Sequence, residues 1–137
     1  MEDKKSIAYS GVVLDEKSRN RLLGYMKDEI PTDWDLITHH MTINLGPLPD
    51  GCEHMIGKKA KVTAVSLGHA EKVCAVGVEV NDANLRSICT PKITHITLAV
   101  NRKDGGKPAM SNNIRHWDDI APMELTGTIE EIENKQS

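Results

Sequence analysis

Two histidines in this sequence are each followed, two residues later, by a threonine, and apolar residues fill the positions between and after them. The first pair is His40 with Thr42, in the run HMTI, and the second is His95 with Thr97, in the run HITL. Side chains alternate between the two faces of a strand, so each histidine shares a face with its threonine. Two such strands placed side by side would bring two imidazoles and two hydroxyls to the floor of one cleft.

This set of side chains suits the hydrolysis of a phosphodiester. The reaction needs a base that activates water, an acid that protonates the departing oxygen, and donors for the charged phosphoryl oxygens. Histidine titrates near neutral pH, so one imidazole can be neutral while the other is charged. Threonine hydroxyls can donate to the phosphoryl oxygens. The reaction needs no metal ion, and two titrating histidines predict a bell-shaped pH profile with its limbs around neutrality.

The sequence resembles the 2H phosphoesterase superfamily, which is named for two such motifs of histidine followed at the second position by threonine or serine. The similarity extends from about residue 8 to 130 and points to the small, RNA-repair-like branch of the superfamily. Besides the two motifs, the similar stretches are YSGVVLD from Tyr9, WDLITHHMTINLGP from Trp34, Lys107 with Pro108, Ser111 with Asn112, and Trp117.

The resemblance implies both a fold and a site. The fold would be α+β and two-lobed, with a pseudo-two-fold relation between the lobes and antiparallel sheets that form a central cleft. His40 and His95 would be the acid–base pair, and Thr42 and Thr97 would bind the phosphate. Which histidine is the acid stays open, because the plan of the site is nearly symmetric. The implied substrate is a 2′,3′-cyclic phosphate at a nucleotide or RNA end, with no cofactor.

Other side chains near the motifs admit more than one interpretation. Strand alternation predicts that His39 faces away from His40, and His39 has no threonine two positions on. Tyr9 or Trp34 can stack on a base, but each fits equally well as an ordinary core aromatic. A zinc site at His39, His40 and His95 is disfavoured, because adjacent strand residues diverge and no carboxylate or cysteine lies at ligand spacing. We therefore predict no metal site.

The composition of the chain limits the number of domains, the kind of binding partner and the cellular compartment that can be expected. The chain has 137 residues with 39% hydrophobic content, which predicts one domain over residues 1–137 with frayed ends at 1–5 and 133–137. Its net charge of −3 lacks the basic balance expected of a protein that grips long nucleic acid. Three cysteines without CxxC spacing, and no basic patch followed by a long apolar run at the N-terminus, predict a soluble, cytoplasmic protein with reduced thiols and no membrane partner.

The spacing of apolar residues, the helix-capping residues, and the positions of glycine and proline predict the order of the helices and strands. A polar loop at 101–108 contains three cations and could close over a phosphate, or it could be a solvated turn. The expected elements are a strand at 7–14, a helix at 15–27, a motif strand at 34–45, a hairpin of strands 58–68 and 72–80, a short helix capped within 81–84 and running through 89, a motif strand at 93–100, a helical turn at 111–117 capped by Ser111 or Asn112, and an edge strand at 123–132.

Two alternative functions compete with hydrolysis of a terminal cyclic phosphate. One is cleavage of a cyclic oligonucleotide signal, as some phage 2H proteins do to blunt host immunity. The other is a non-catalytic module that binds an RNA end or a nucleotide. A binding module needs phosphate donors but not two titrating groups, so the presence of both histidine–threonine pairs favours an enzyme.

Overall fold

The computed structural model describes residues 7–133, which form seven strands, two α-helices and several short 3-10 turns. The predicted frayed ends lie outside the described residues, except for Glu133, which ends the last strand. The strands are β1 Ile7–Leu14, β2 Asp35–Leu36, β3 His40–Asn44, β4 Lys59–His69, β5 Val73–Val80, β6 His95–Val100 and β7 Trp117–Glu133; the helices are α1 Glu16–Met26 and α2 Ala83–Ile88; the 3-10 turns are Lys27–Glu29, Glu53–Met55, Arg102–Asp104 and Pro108–Asn113.

The strands form one antiparallel sheet that closes on itself. Their order is β2, β6, β3, β1, β7, β4, β5, and β5 also pairs with β6, which closes a six-stranded barrel with β2 beside β6. The predicted α+β class with antiparallel strands is confirmed. The sheet is continuous, however, and is not divided between two lobes. The predicted edge strand is wrong as well, because β7 is 17 residues long and pairs with β1 along one side and β4 along the other.

The main core contains apolar side chains from all six barrel strands. Leu22 and Met26 of α1 and Leu85 of α2 add to it. Asp15 caps the start of helix α1. Its carboxylate accepts a hydrogen bond at 2.8 Å from the amide of Ser18, which has no acceptor within the helix. In the described part of the chain, neither α-helix has the length and apolar character needed to cross a membrane.

Strand β5 is buried on both faces. One face packs into the main core, and Val73 and Ala75 on the other face join a second apolar cluster with Val100 and Ile114. This explains its nearly continuous apolar run, VCAVGVEV, which lacks the alternation of a half-exposed strand. The predicted hairpin of β4 and β5 is confirmed, and so is the short helix α2, with Asp82 as its N-cap.

The predicted motif strand at 34–45 is divided in two. Leu36 lies opposite Ala99 and Met41 lies opposite Ile96, so the segment between Leu36 and Met41 contains two more residues than the stretch of β6 that it faces. Thr38 takes up this excess with a φ of 41°, a conformation that β-branched residues rarely adopt.

Hydrogen bonds hold Thr38 in this conformation. Its hydroxyl donates to the carbonyl of Leu98 at 2.9 Å, and its amide donates to the carbonyl of Thr97 at 2.9 Å. The guanidinium Nε of Arg19 donates to the Thr38 carbonyl, also at 2.9 Å. Backbone strain of this kind typically costs about 1–3 kcal/mol and persists only where the surroundings over-determine it. Here it shapes the backbone immediately before the first motif.

The predicted helical turn at 111–117 is displaced. A 3-10 turn occupies Pro108–Asn113, and β7 already begins at Trp117. The predicted last strand therefore begins six residues too late. Its early part, WDDIAP, has no clear alternation of apolar and polar residues, so the sequence pattern did not reveal it.

Candidate active site

The two motif strands lie side by side and antiparallel, with Met41 opposite Ile96. Both of these side chains are fully buried in the main core behind the pair. In this antiparallel register, each histidine lies across from the threonine of the other motif: His40 faces Thr97, and His95 faces Thr42. The two motifs are therefore related by a local two-fold axis through the Met41–Ile96 pair.

The four motif side chains and Tyr9 line one cleft of about 540 Å³. This volume lies within the range of about 300–1,000 Å³ that is typical of small-molecule sites. Trp34 is not among the lining residues, because its side chain packs against the main core. The structure thus separates the two predicted aromatics, with Tyr9 at the cleft and the partly buried Trp34 packed against the core. The remaining lining residues are Ile37, Leu45, Thr90, Pro91, Pro108, Ala109 and Asn112.

His40 is held on three sides. Tyr9 stacks on its ring, with centroids 4.3 Å apart and planes 17° from parallel. Its Nε2 lies 3.2 Å from the Thr42 hydroxyl oxygen, and its Nδ1 lies 3.0 Å from Nδ1 of His39. Burial, together with the charges of His39 and His95, lowers the pKa of His40 to about 4. His40 is therefore neutral near pH 7.

His39 lies beside His40, so the prediction that it faces away was wrong. Strand alternation does not apply to it, because β3 begins at His40 and the preceding residue, Thr38, has left-handed backbone geometry. The two Nδ1 atoms are 3.0 Å apart, so one ring must donate a proton and the other must accept it. If His40 donates from Nδ1, its Nε2 is the unprotonated nitrogen, the tautomer that a base needs.

His95 has a defined ring orientation. Its Nδ1 lies 2.8 Å from the carbonyl oxygen of Ile93. A carbonyl can only accept a hydrogen bond, so Nδ1 carries a proton and Nε2 is the nitrogen left for a substrate. The ring is half-buried, and its centroid lies 6.5 Å from that of Trp117.

Ser111 is a site residue that sequence reasoning missed. Its hydroxyl oxygen lies 2.8 Å from that of Thr97, and both side chains are buried. The Thr97 hydroxyl also donates to the carbonyl oxygen of Pro108 at 3.4 Å. The sequence suggested Ser111 as a helix cap and as part of a stretch similar to the 2H superfamily, but it gave Ser111 no role at the site. The 3-10 turn at Pro108–Asn113 thus contributes Pro108, Ala109 and Asn112 to the lining of the cleft.

The polar loop at 101–108 contributes to the cleft through Pro108 rather than through its cations. Arg102 pairs with Asp35 at 3.0 Å, and both side chains are more than half exposed. The described residues that line the cleft do not include Arg102, Lys103 or Lys107. The loop fits the solvated alternative better than the phosphate-closing one.

No protein-family model matches the chain, and no curated protein matches it significantly. Residues 7–133 contain no group of three or more His, Cys, Asp or Glu side chains that could hold a metal ion. The cleft itself carries groups that can take part in chemistry. It combines one neutral imidazole, a second imidazole with a fixed ring orientation, and two threonine hydroxyls on one face of a strand pair.

Proposed function

We propose that the protein is a metal-independent phosphodiesterase that hydrolyses a 2′,3′-cyclic phosphate at a nucleotide or RNA end. The observation that carries the proposal is the pairing of Met41 with Ile96, from which the crossed arrangement of two histidines and two threonines follows. Two imidazoles supply both proton transfers of such a reaction, and two hydroxyls supply donors for the phosphoryl oxygens. A binding module would need only the donors.

The 2H phosphoesterase fold is part of this proposal. An antiparallel sheet, two adjacent motif strands and a local two-fold axis between them support the likeness. The presence of Tyr9, Asn112 and the 3-10 turn around Ser111 at the cleft adds support, because these residues belong to the similar stretches outside the motifs.

In the proposed mechanism, His40 is the general base and His95 the general acid. Nε2 of His40 takes a proton from water as the water oxygen forms its bond to phosphorus. The bond from phosphorus to the 2′ or 3′ oxygen breaks, and Nε2 of His95 gives its proton to that oxygen. The product is a phosphomonoester, and proton exchange with solvent restores both rings. The lowered pKa of His40 supports this division of roles, because a base must be neutral before the reaction.

The threonines would hold the phosphoryl oxygens. Thr97 can accept a hydrogen bond from Ser111, and its own proton, which it donates to the Pro108 carbonyl at 3.4 Å in the free protein, can turn to a phosphoryl oxygen when substrate enters. Thr42 lies 3.2 Å from Nε2 of His40 in the free protein. When substrate and water enter, its hydroxyl can turn to a phosphoryl oxygen while Nε2 turns to the water. Ser111 is thus a positioning residue for Thr97.

We expect the purified protein to convert 2′,3′-cyclic mononucleotides to monoesters and to retain full activity in excess EDTA. The reason is that two imidazoles make both proton transfers without a metal-bound water. The assay is product identification by chromatography and mass spectrometry, with a 3′,5′-cyclic nucleotide as the matched control substrate. Loss of activity on chelation, restored by a divalent ion, would refute the acid–base assignment. Binding of the 2′,3′-cyclic compounds without turnover would favour the binding module.

The acid limb of the pH profile should lie near pH 4. The sequence alone predicted a limb around neutrality. The base must be neutral, and the pKa of His40 is lowered to about 4. The profile of kcat/KM reports groups of the free enzyme. The charge of His39 is one cause of the lowered pKa, so His39→Ala should raise the pKa and move the acid limb to higher pH.

This shift is measured as kcat/KM from pH 3 to 8 for the parent, His39→Ala and a control, His69→Ala. His69 is exposed, and its ring contacts the carbonyl of Glu29, away from the cleft lining. We expect the control to keep the parent profile. An acid limb that stays in place or moves to lower pH in His39→Ala would contradict the proposed effect of His39 on the base.

A further inference from the structure

A second, smaller hollow adjoins the cleft at His95. Its volume is about 210 Å³, and it shares His95 and Asn112 with the main cleft. Complete small-molecule sites typically have about 300–1,000 Å³, so this hollow suits one planar group rather than a whole nucleotide. His95 stands between the two spaces. A substrate bound at His95 can therefore extend into both.

The side chains around the hollow are suited to a nucleobase. Trp117 presents an indole, Ile93 and Ile114 are apolar, and the exposed Lys92 brings a cation to the rim. Aromatic side chains bind bases by stacking on their faces, which is largely independent of base identity. A lysine at the rim attracts the phosphate that links one nucleotide to the next.

Trp117 is positioned for this role before any ligand binds. A Cβ atom added at Gly68 would lie only 2.6 Å from its ring, and one added at Gly77 would lie 3.6 Å from it. The two glycines therefore let the indole lie directly against the sheet. Its Nε1 donates to the carbonyl of Ile114 at 3.3 Å. A ring that is already fixed loses little freedom when a base stacks on it.

We propose that this hollow binds the base of a second nucleotide, so that the enzyme prefers substrates with two nucleosides over a cyclic mononucleotide. The inference rests on the proposed function for the position of the phosphate between the histidines. The base of one nucleotide occupies the main cleft, and the second base lies between Trp117 and Ile93. Both a linear RNA end and a cyclic dinucleotide offer this second base.

The test compares kcat/KM for adenosine 2′,3′-cyclic phosphate, the linear dinucleotide ending in the same cyclic phosphate, and cyclic di-AMP. We expect at least one two-nucleoside substrate to exceed the mononucleotide by about 5- to 150-fold, the worth of one base stacked on an aromatic ring. Preference for the linear compound identifies an RNA end, and preference for cyclic di-AMP identifies a cyclic oligonucleotide. Equal kcat/KM for all three substrates would overturn the second subsite.

Two variants and a matched control locate the effect. Trp117→Leu removes the stacking face. Ile93→Ala removes another apolar lining side chain and leaves the contact of Trp117 with Gly68 and Gly77 in place. Both should reduce the ratio of two-nucleoside to mononucleotide kcat/KM, Trp117→Leu by most of the parent preference. Ile56→Ala is the control, because Ile56 is 43% exposed, similar to Ile93 at 47%, and lies outside both spaces. A ratio unchanged in both test variants would contradict the proposal.

Binding measurements separate this inference from the proposed function. Calorimetry with adenosine 3′-phosphate and with the linear dinucleotide 3′-phosphate needs no turnover. If none of the three substrates is hydrolysed but the dinucleotide 3′-phosphate still binds more tightly than adenosine 3′-phosphate, and Trp117→Leu abolishes the difference, the second subsite stands and the enzyme proposal fails. If hydrolysis occurs but neither two-nucleoside substrate exceeds the mononucleotide in kcat/KM, and the dinucleotide 3′-phosphate binds no more tightly than adenosine 3′-phosphate, the enzyme proposal stands and the second subsite fails.

Discussion

Replacing His40 or His95 by alanine should lower turnover by about 10²- to 10⁴-fold, the typical contribution of one positioned proton-transfer group. Each variant loses one of the two transfers that the reaction needs. Both side chains are half-buried at the cleft and point away from the main core, so the variants should stay folded and keep their affinity for a nucleotide monoester. The measurements are kcat, thermal unfolding and calorimetric binding.

The matched control is His54→Ala. His54 is an exposed histidine of the 3-10 turn Glu53–Met55, where its ring contacts the carbonyl of Gly51, and it does not line the cleft. Its replacement should leave kcat at the parent value. His40→Ala also removes the stacking partner of Tyr9, so His40→Gln, which retains a polar group of similar reach, checks that the loss is chemical. If His40→Ala and His95→Ala turn over substrate like the parent, the enzyme proposal is lost.

Gly11→Ala should reduce both stability and turnover, although Gly11 has no side chain to take part in the reaction. Gly11 lies on β1 opposite Thr42, and an added Cβ would lie 2.7 Å from the Met41 carbonyl oxygen and 3.3 Å from Cδ2 of His40. The nearest atom is backbone, so β3 must move. Overpacking of this kind typically costs about 1–3 kcal/mol. A displacement of about 1 Å at a catalytic group can lower the rate about 10²-fold.

Gly24→Ala is the matched control for this substitution. Gly24 lies in α1, and nothing within 4 Å would meet its added Cβ. Alanine in a helix interior is more favourable than glycine by about 0.8–1.0 kcal/mol, so this variant should be more stable and equally active. Chemical denaturation gives the free energies of unfolding, and steady-state kinetics give kcat. A Gly11→Ala variant with the stability and kcat of the parent would show that β1 does not constrain the first motif strand.

Local patterns in the sequence were sufficient for several elements and for four residues that line the candidate cleft. The alternation of histidine, apolar residue and threonine depends only on strand geometry, and His40, Thr42, His95 and Thr97 do line one cleft. The helix after Asp15 and the β4–β5 hairpin also follow from short-range signals, namely a capping carboxylate and two apolar runs with a short link. Each of these features depends on residues that are near one another in the chain.

Features that depend on distant residues were decided by the tertiary structure. Closure of the barrel requires β5 to pair with β6 and β7 to fit between β1 and β4, and no short stretch specifies such partners. The burial of Ser111 against Thr97 and the different positions of Tyr9 and Trp34 follow from this closure. Packing partners place Tyr9 at the cleft and Trp34 against the main core.

The register of the two motif strands is the clearest case. The sequence determined which residues of each motif share a face, because that depends on alternation within one strand. It did not determine that Met41 faces Ile96, or that His39 lies beside His40. The left-handed backbone of Thr38 lies immediately before these residues, and distant partners hold it in place through hydrogen bonds from Arg19 and to β6. Strand register is set by contacts between strands and their connections, which the pattern within a single strand does not specify.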